Sequence, residues 1–334
     1  MKNLYDLYNE CISTHEWKYY SLSSIGIEIL NDANTSRSFV ASYLGKGCKT
    51  ELDIFKYIED LSDIRMRHIV SCFFLGVIFY TRCRNIQENI NTLLSKISTN
   101  PNDTTEERFL YVWMLVSIFH DFGYAVEDGL KSLEKSEFIE LIKRLPRRPR
   151  YIPNIYNKKL LKKYNDYRIC RFGVNDHGIV GGIKLYKDLC ELREIKKEND
   201  KLHYWEEPLK KDICIAAWTI ACHNIYMIKM GDRNDLCYTC KMLKNLVYDT
   251  HSREIKKDKH PFLFLFCLVD TLEPVKTIHD YCLLKKISLV IKDDSIQLNY
   301  SKLCEVLQTD YYEIIQKMDK WLTDVDDTGT TIKL

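Results

Sequence analysis

Apolar residues recur through most of this chain at the three-and-four spacing of amphipathic helices. The pattern predicts helices over residues 51–61, 64–80, 86–96, 105–122, 178–192, 209–224 and 261–274. Several are apolar nearly all round, over 69–80, 111–119, 213–222 and 262–269, and such helices belong inside a bundle. Asn102, Asp103, Thr104 and Thr105, followed by Glu106 and Glu107, supply capping side chains and first-turn acids for the helix at 105. Gly123 is the expected stop for that helix. The period changes near the C-terminus. Residues 287–291 are apolar and β-branched, Asp293 and Asp294 can turn, and 296–300 alternate, which predicts a β-hairpin. A polar-faced helix over 302–322 and a frayed tail over 324–331 complete the expectation. The expected fold is mainly α, a helical bundle with a small C-terminal β-hairpin and additional terminal helices. Its expected parts are an N-terminal helical extension (1–50), a core (51–280) and a C-terminal hairpin and helix (281–334).

Composition removes several alternatives. The chain has 334 residues, 46% of them hydrophobic and 29% charged, which excludes a disordered polymer. Twelve Gly and seven Pro are too few for collagen-like or Pro-rich architecture. Forty-nine Lys and Arg against 47 Asp and Glu give a formal charge of +2, so a globally basic nucleic-acid binder is not indicated. The cysteines number 13, an odd count at irregular spacing, and Met1-Lys2-Asn3 opens no secretory apolar region. The expectation is a reduced, cytoplasmic chain with cysteines acting as small buried hydrophobes. Cys237 and Cys240 form a single CxxC that lacks two further ligands for structural zinc. The apolar stretch 69–80 falls short of the ~20 residues that span a bilayer, so no membrane is expected as a partner.

Charge is uneven in one place. Residues 143–171 hold eleven Lys and Arg, among them Arg147, Arg148 and Arg150, against the single acid Asp166. Tyr151, Tyr156, Tyr164 and Tyr167 are interleaved, and Pro146, Pro149 and Pro153 make the first half irregular. This basic, aromatic-bearing insertion joins two segments that carry the candidate chemistry.

That chemistry lies at the ends of the greasy helices. The run 111–119 leads into His120-Asp121, 213–222 into His223, and 262–269 into Asp270, while His68 opens 69–80 from the other end. Burying a carboxylate or imidazole there costs several kcal/mol unless it is paired or ligates a metal. Each of these residues alone is compatible with a hydrogen-bonded core position. Jointly, with His177, they can satisfy one another by sharing a divalent cation. The gaps of 52, 56, 46 and 47 residues leave room for a helix pair between successive members.

In this arrangement the chain resembles the HD superfamily of metal-dependent phosphohydrolases, over roughly residues 64–274. The local contexts are Arg67-His68, Phe119-His120-Asp121-Phe-Gly123, Asp176-His177-Gly-Ile-Val-Gly-Gly182, Cys222-His223-Asn224 and Val269-Asp270-Thr-Leu-Glu273. The resemblance implies an HD-domain-like helical bundle. It implies one metal held by His68, His120, Asp121 and Asp270, and a second held by His177 and His223 with Asp121 bridging. Imidazole with carboxylate suits Mn, Fe, Co or Ni, and Mg less well. Two ions ~3.5–4 Å apart would activate a hydroxide and clamp a phosphoryl group. A second dipeptide, His279-Asp280, has no downstream His and no apolar helix before it, and is set aside.

One departure concerns substrate. Many members carry a Lys shortly after the His-Asp pair, where this chain has Tyr124. Tyr124 is a candidate substrate contact or a core ring with a satisfied hydroxyl. Lys184 and the insertion, through Arg147, Arg148 and Arg150, are candidate phosphate cations, and Glu127 is a candidate proton donor. The expected activity is hydrolysis of a phosphoester or phosphoanhydride of a nucleotide, either a nucleoside triphosphate or a cyclic nucleotide. The alternative is an HD-type nuclease with single-stranded nucleic acid tracked by 143–171, whose tyrosines would stack bases. A binding module with ordering metals and oxygen-activating di-iron chemistry are two further classes compatible with these ligand types.

Overall fold

A computed structural model describes residues 2–14, 17, 26–43, 61–97, 104–127, 135–144, 158–199, 207–226, 255–278, 280–316, 324–325 and 330–334. After a two-residue strand β1 (Lys2–Asn3) come α1 (Leu4–Thr14), α2 (Ala33–Tyr43), α3 (Asp63–Arg82), α4 (Arg84–Ile97) and α5 (Thr105–Phe119). These are followed by α6 (Phe122–Glu127), α7 (Lys135–Arg144), α8 (Lys158–Phe172), α9 (His177–Asn199) and α10 (Glu207–Tyr226). The chain then forms α11 (Pro261–Leu272), α12 (Val275–Ile278), β2 (Ser288–Ile291), β3 (Ser295–Asn299), α13 (Glu305–Gln316), β4 (Asp324–Val325) and β5 (Thr331–Lys333). The protein is mainly α with a small β element, as its periodicity predicts. The helix expected over 51–61 and the CxxC at Cys237 lie outside the described residues.

The centre of the bundle is built from α3, α5, α10 and α11, whose mid-sections are buried on every face. Among the described residues, α3 is the helix long and apolar enough to cross a membrane, with 78% of its apolar window buried inside the protein. It packs on α5 at closest range where Gly76 meets Trp113. A methyl at Gly76 would fall 2.0 Å from the indole, whose Nε1 donates to the Phe73 carbonyl at 2.9 Å. The other side of α3 carries α1 and α2 through Trp17, Phe39, Phe73 and Phe74, whose rings lie 5.2–5.8 Å apart.

Thr104 accepts from the Glu107 amide while the Glu107 carboxylate accepts from the Thr104 amide, so the expected capping box starts α5. One turn later Arg108 is buried, bound through two nitrogens to Asp212 of α10 and through a third to the Leu94 carbonyl. This pair fastens α4, α5 and α10 together.

The helix expected over 105–122 is interrupted. Helix α5 ends at Phe119, His120 and Asp121 form a turn, and α6 begins at Phe122. Gly123 therefore does not stop the helix but lies inside α6. It is a point of contact: a Cβ there would sit 1.9 Å from the His177 carbonyl oxygen. Helix α9 packs equally closely on α10, since a Cβ at Gly182 would meet the Ala217 carbonyl at 2.4 Å. Glycines on α6 and α9 and alanines on α10 thus let three backbones approach, which brings His120, His177 and His223 to one end of the bundle.

The C-terminal hairpin forms with Ile291 opposite Ile296. It belongs to a five-stranded antiparallel sheet, ordered β1-β2-β3-β5-β4, and buries Leu289, Ile296, Leu298 and Ile332. The expected frayed tail is corrected here. Residues 324–325 and 331–333 pair as strands because Ile332 completes the apolar face of the sheet. The helix expected over 302–322 is described only as Glu305–Gln316. The first residues of the chain also join this sheet through β1. The second half of the insertion is α8, with Tyr164 and Tyr167 buried, while Tyr151 and Tyr156 lie outside the described residues.

Six of the ten described cysteines are buried and all ten are free thiols.

Candidate metal centre

His68, His120 and Asp270 meet where α3, the α5–α6 turn and α11 converge. The Nε2 atoms of His68 and His120 are 3.3 Å apart, and Asp270 Oδ1 lies 3.1 Å from the first and 3.9 Å from the second. Both imidazoles are 1% exposed, so water cannot screen the group. The other ring nitrogens decide the tautomers. His68 Nδ1 is 2.6 Å from the Glu273 carboxylate, and His120 Nδ1 is 2.8 Å from the Ser117 carbonyl. Each partner is an acceptor, so each Nδ1 carries a proton and each neutral ring turns its Nε2 lone pair inward. Three lone pairs then converge, an arrangement that requires positive charge between them. Imidazoles held through Nδ1 by a carboxylate or carbonyl are the usual support of metal-ligating histidines. The donor set therefore fits a divalent transition metal.

Asp121 extends the group. It is buried, with Oδ1 3.3 Å from His120 Nε2 and 3.9 Å from His177 Nε2, between the two rings. His223, whose Nδ1 is 2.7 Å from the Ile220 carbonyl, completes the surround, its ring centroid 5.3 Å from that of His177 and 5.8 Å from that of His120. All six expected ligands are thus gathered at one end of the bundle. Of these six, His68, His120 and Asp270 converge within 4.8 Å. Asp121, His177 and His223 are spaced more loosely around it.

A second group, His68, Cys72 and Glu273, also falls within 4.8 Å. Its chemistry is poorer. Cys72 Sγ is 3.7 Å from both ring nitrogens of His68, so it is in line with neither of them. Burial pushes its thiol up to about 12, which disfavours the thiolate that a metal needs. Glu273 already accepts from the Val275 and Lys276 amides.

Electrostatics agree with a site built for a cation. Burial pushes His120 down to about 4, and burial together with the neighbouring His223 holds His177 well below the imidazole range. Burial opposes charge on Asp121 and Asp270 as well. The surrounding His120 and Lys276 outweigh it for Asp121, and Lys276 and His68 for Asp270, so both carboxyls stay ionised far below their usual range. His68 moves the other way: burial disfavours its charge, but Cys72 and the Asp270 carboxylate raise it. Among the three rings it is the one that would take up a proton in place of a metal.

Two cations border the cluster. Arg65 Nη1 lies 3.2 Å from Asp121 Oδ2, and its guanidinium sits 3.3 Å from the Tyr124 ring centroid. The His177 ring stacks on Tyr124 at 3.7 Å. Two groups that close cannot share a face, so Tyr124 is sandwiched between Arg65 and His177. Lys276 Nζ is 3.5 Å from Asp270 Oδ1, with half of its side chain exposed. Arg65 and Lys276 did not stand out in the sequence because single cations within a few residues of a candidate ligand are common. Glu273 follows Asp270 by three residues, one helical turn, a spacing that could have marked it.

The other candidates fall as follows. The Lys184 ammonium lies 5.7 Å from the ring centroid of Phe122, the residue after Asp121. Glu127 ends α6, and its side chain lies outside the described residues, as do Arg147, Arg148 and Arg150. His279 also lies outside them. Its neighbour Asp280 is exposed and accepts from the Cys282 amide, a capping role rather than a metal site.

No protein-family model matches the chain, and comparison with the curated proteins and with the solved structures finds no match. The helical architecture with buried His, Asp and Glu groups able to hold a metal is compatible with an HD-type domain.

Proposed function

We propose that this protein is a metal-dependent phosphohydrolase of the HD type, cleaving a phosphoester or phosphoanhydride bond of a nucleotide. The observation that carries the reading is the inward-facing triad His68, His120 and Asp270, with both imidazoles tied from behind at Nδ1. When bound there, a divalent ion such as Mn, Fe, Co or Ni supplies a Lewis acid and lowers the pKa of water. His68, His120, Asp270 and Asp121 would hold it, and His177 and His223 would help to hold a second ion. Arg65 and Lys276 attract the substrate phosphates. Tyr124 carries no charge itself but holds the Arg65 guanidinium on its ring, so a cation borders the site although the Lys of many HD members is missing. Attack on phosphorus places the water oxygen on the phosphate and releases the leaving oxygen with a proton. The burial of Tyr164 and Tyr167, which takes two of the candidate stacking rings of 143–171 into the core, favours a nucleotide over a strand.

The test combines metal analysis of protein purified without chelator with a phosphate-release screen over nucleotides and oligonucleotides. Wild type should hold one to two ions per chain, on the order implied by a two-ion site. His68→Ala and Asp270→Ala should lose metal and activity together, while Asp280→Asn should keep both. Full metal content in His68→Ala would refute the centre. Release from oligonucleotides alone would transfer the reading to the nuclease.

A further inference from the structure

We propose that Glu273 is the positioning residue of this centre, one buried carboxylate that sets both the metal-facing orientation of His68 and the place of Lys276. The inference rests on the metal centre proposed above. Glu273 is 2% exposed, and all of its described contacts are directed. Oε1 accepts from the Val275 amide at 2.7 Å. Oε2 accepts from the Lys276 amide at 3.2 Å and faces His68 Nδ1 at 2.6 Å. Val275 opens the four-residue helix α12, so the carboxylate caps that helix and fixes its first turn. Lys276, the second residue of α12, then carries its ammonium to Asp270. One side chain thereby holds a ligand of α3 and a cation of α12 in register with Asp270, three residues before it on α11.

The surroundings suit the role. Tyr311 donates to the Leu272 carbonyl at 2.8 Å, and Tyr8 bonds Ser71 Oγ at 2.8 Å, so α13 and α1 wall this pocket from water. A carboxylate in such surroundings forms stronger hydrogen bonds than in water. The elements outside the HD-like segment therefore enclose the support of His68.

A glutamine cannot replace Glu273. Its single oxygen can serve one of the two sides, and its NH2 must then confront either the Val275 amide or the His68 Nδ1–H and the Lys276 amide. With NH2 toward His68, the ring is driven to carry its proton on Nε2, where the lone pair for the metal should be.

The experiment titrates manganese(II) into chelator-stripped wild type, Glu273→Gln and Lys276→Met, with thermal unfolding of each recorded alongside. Glu273→Gln should bind the ion 10–100-fold more weakly. Lys276→Met should bind as tightly as wild type or more tightly, because a positive charge has left Asp270. Glu273→Gln binding like wild type would overturn the proposal, as would Lys276→Met weakening the ion as much as Glu273→Gln. The second measurement is made on wild type and does not depend on variant folding or on metal. Nuclear magnetic resonance of 15N-histidine protein should show a downfield, exchange-protected proton on His68 Nδ1. Its absence overturns the role of Glu273. If wild type binds no manganese yet shows this proton, the metal reading fails and the Glu273–His68 link stands.

Discussion

The close approach of α9 and α10 can be tested with two neighbouring glycines of the same helix. At Gly182 an added Cβ would lie 2.4 Å from the Ala217 carbonyl oxygen and 2.9 Å from both Cβ and N of Ala221. These atoms are backbone or fixed to it, so no rotamer relieves the clash. Restoring an ordinary contact of 3.4 Å requires the helices to separate by about 1 Å, from 3.4 minus 2.4. Because two backbones must part, the cost belongs in the upper part of the range for overpacking, about 2–3 kcal/mol. Alanine recovers ~1 kcal/mol through helix propensity. Gly182→Ala should therefore lose about 1–2 kcal/mol net. At Gly181 the nearest atoms, Gly123 N and Phe119 O, are 3.3 Å away, and the propensity gain should leave Gly181→Ala close to wild type or slightly more stable. The assay is urea unfolding of both variants, paired with metal titration, since separating α9 from α10 also moves His177 from His223. A Gly182→Ala protein as stable as wild type, or Gly181→Ala as the weaker of the two, would refute the packing argument.

Arg108→Ala leaves Asp212 buried without its guanidinium and should cost about 3–5 kcal/mol in urea unfolding; a loss below 1 kcal/mol would show that the pair is not needed. His260 is 5% exposed at the start of α11, and burial pushes it down to about 4 from 6.5. Because its folded value is depressed, the unfolded chain takes up the proton first, and stability is lost as pH falls from about 6.5 to about 4, by on the order of 3 kcal/mol. His260→Asn should flatten stability against pH in that window; an unchanged slope would reject the assignment. Arg65→Met should raise KM for a phosphorylated substrate more than it lowers kcat, the behaviour of lost uniform binding, and a pure kcat effect would place Arg65 in the chemical step instead.

The candidate ligands of the proposed centre were legible in the sequence because they interrupt apolar runs. A His or Asp ending a helix that is greasy on all sides has no inexpensive solution other than partnership, and the structure brings His68, His120, Asp121, His177, His223 and Asp270 to one end of the bundle. The break at His120-Asp121 was not legible. Periodicity continues through 105–122, and only the proximity of α9 shows that Gly123 meets the His177 carbonyl rather than terminating a helix. The strand at 331–333 was hidden for a related reason. A three-residue segment has too little alternation to register, and its stability comes from pairing with Ser295–Asn299, far away in sequence. Arg65 and Lys276 were missed because support residues follow no spacing rule of their own, and Glu273 because its spacing of one turn from Asp270 gains meaning only through His68. Their significance comes from what they touch: Arg65 from Asp121 and Tyr124, Glu273 from His68, Lys276 from Asp270.

Both carboxylates at the cluster are already paired with a cation, Asp121 with Arg65 and Asp270 with Lys276, and each cation is partly exposed. A divalent ion entering between the imidazoles would compete with both for the same carboxylates. On the proposed phosphohydrolase reading, Arg65 and Lys276 would then be available to a phosphate. Metal and phosphate should accordingly bind with mutual support, since each relieves what the other leaves uncompensated. The measurement is the manganese(II) dissociation constant of the wild-type protein with and without inorganic phosphate. A several-fold tightening is expected with phosphate, and the same tightening in the phosphate constant with metal. In Arg65→Met this coupling should shrink. Equal manganese affinity with and without phosphate in the wild type would show that the two cations do not link the ion to the substrate.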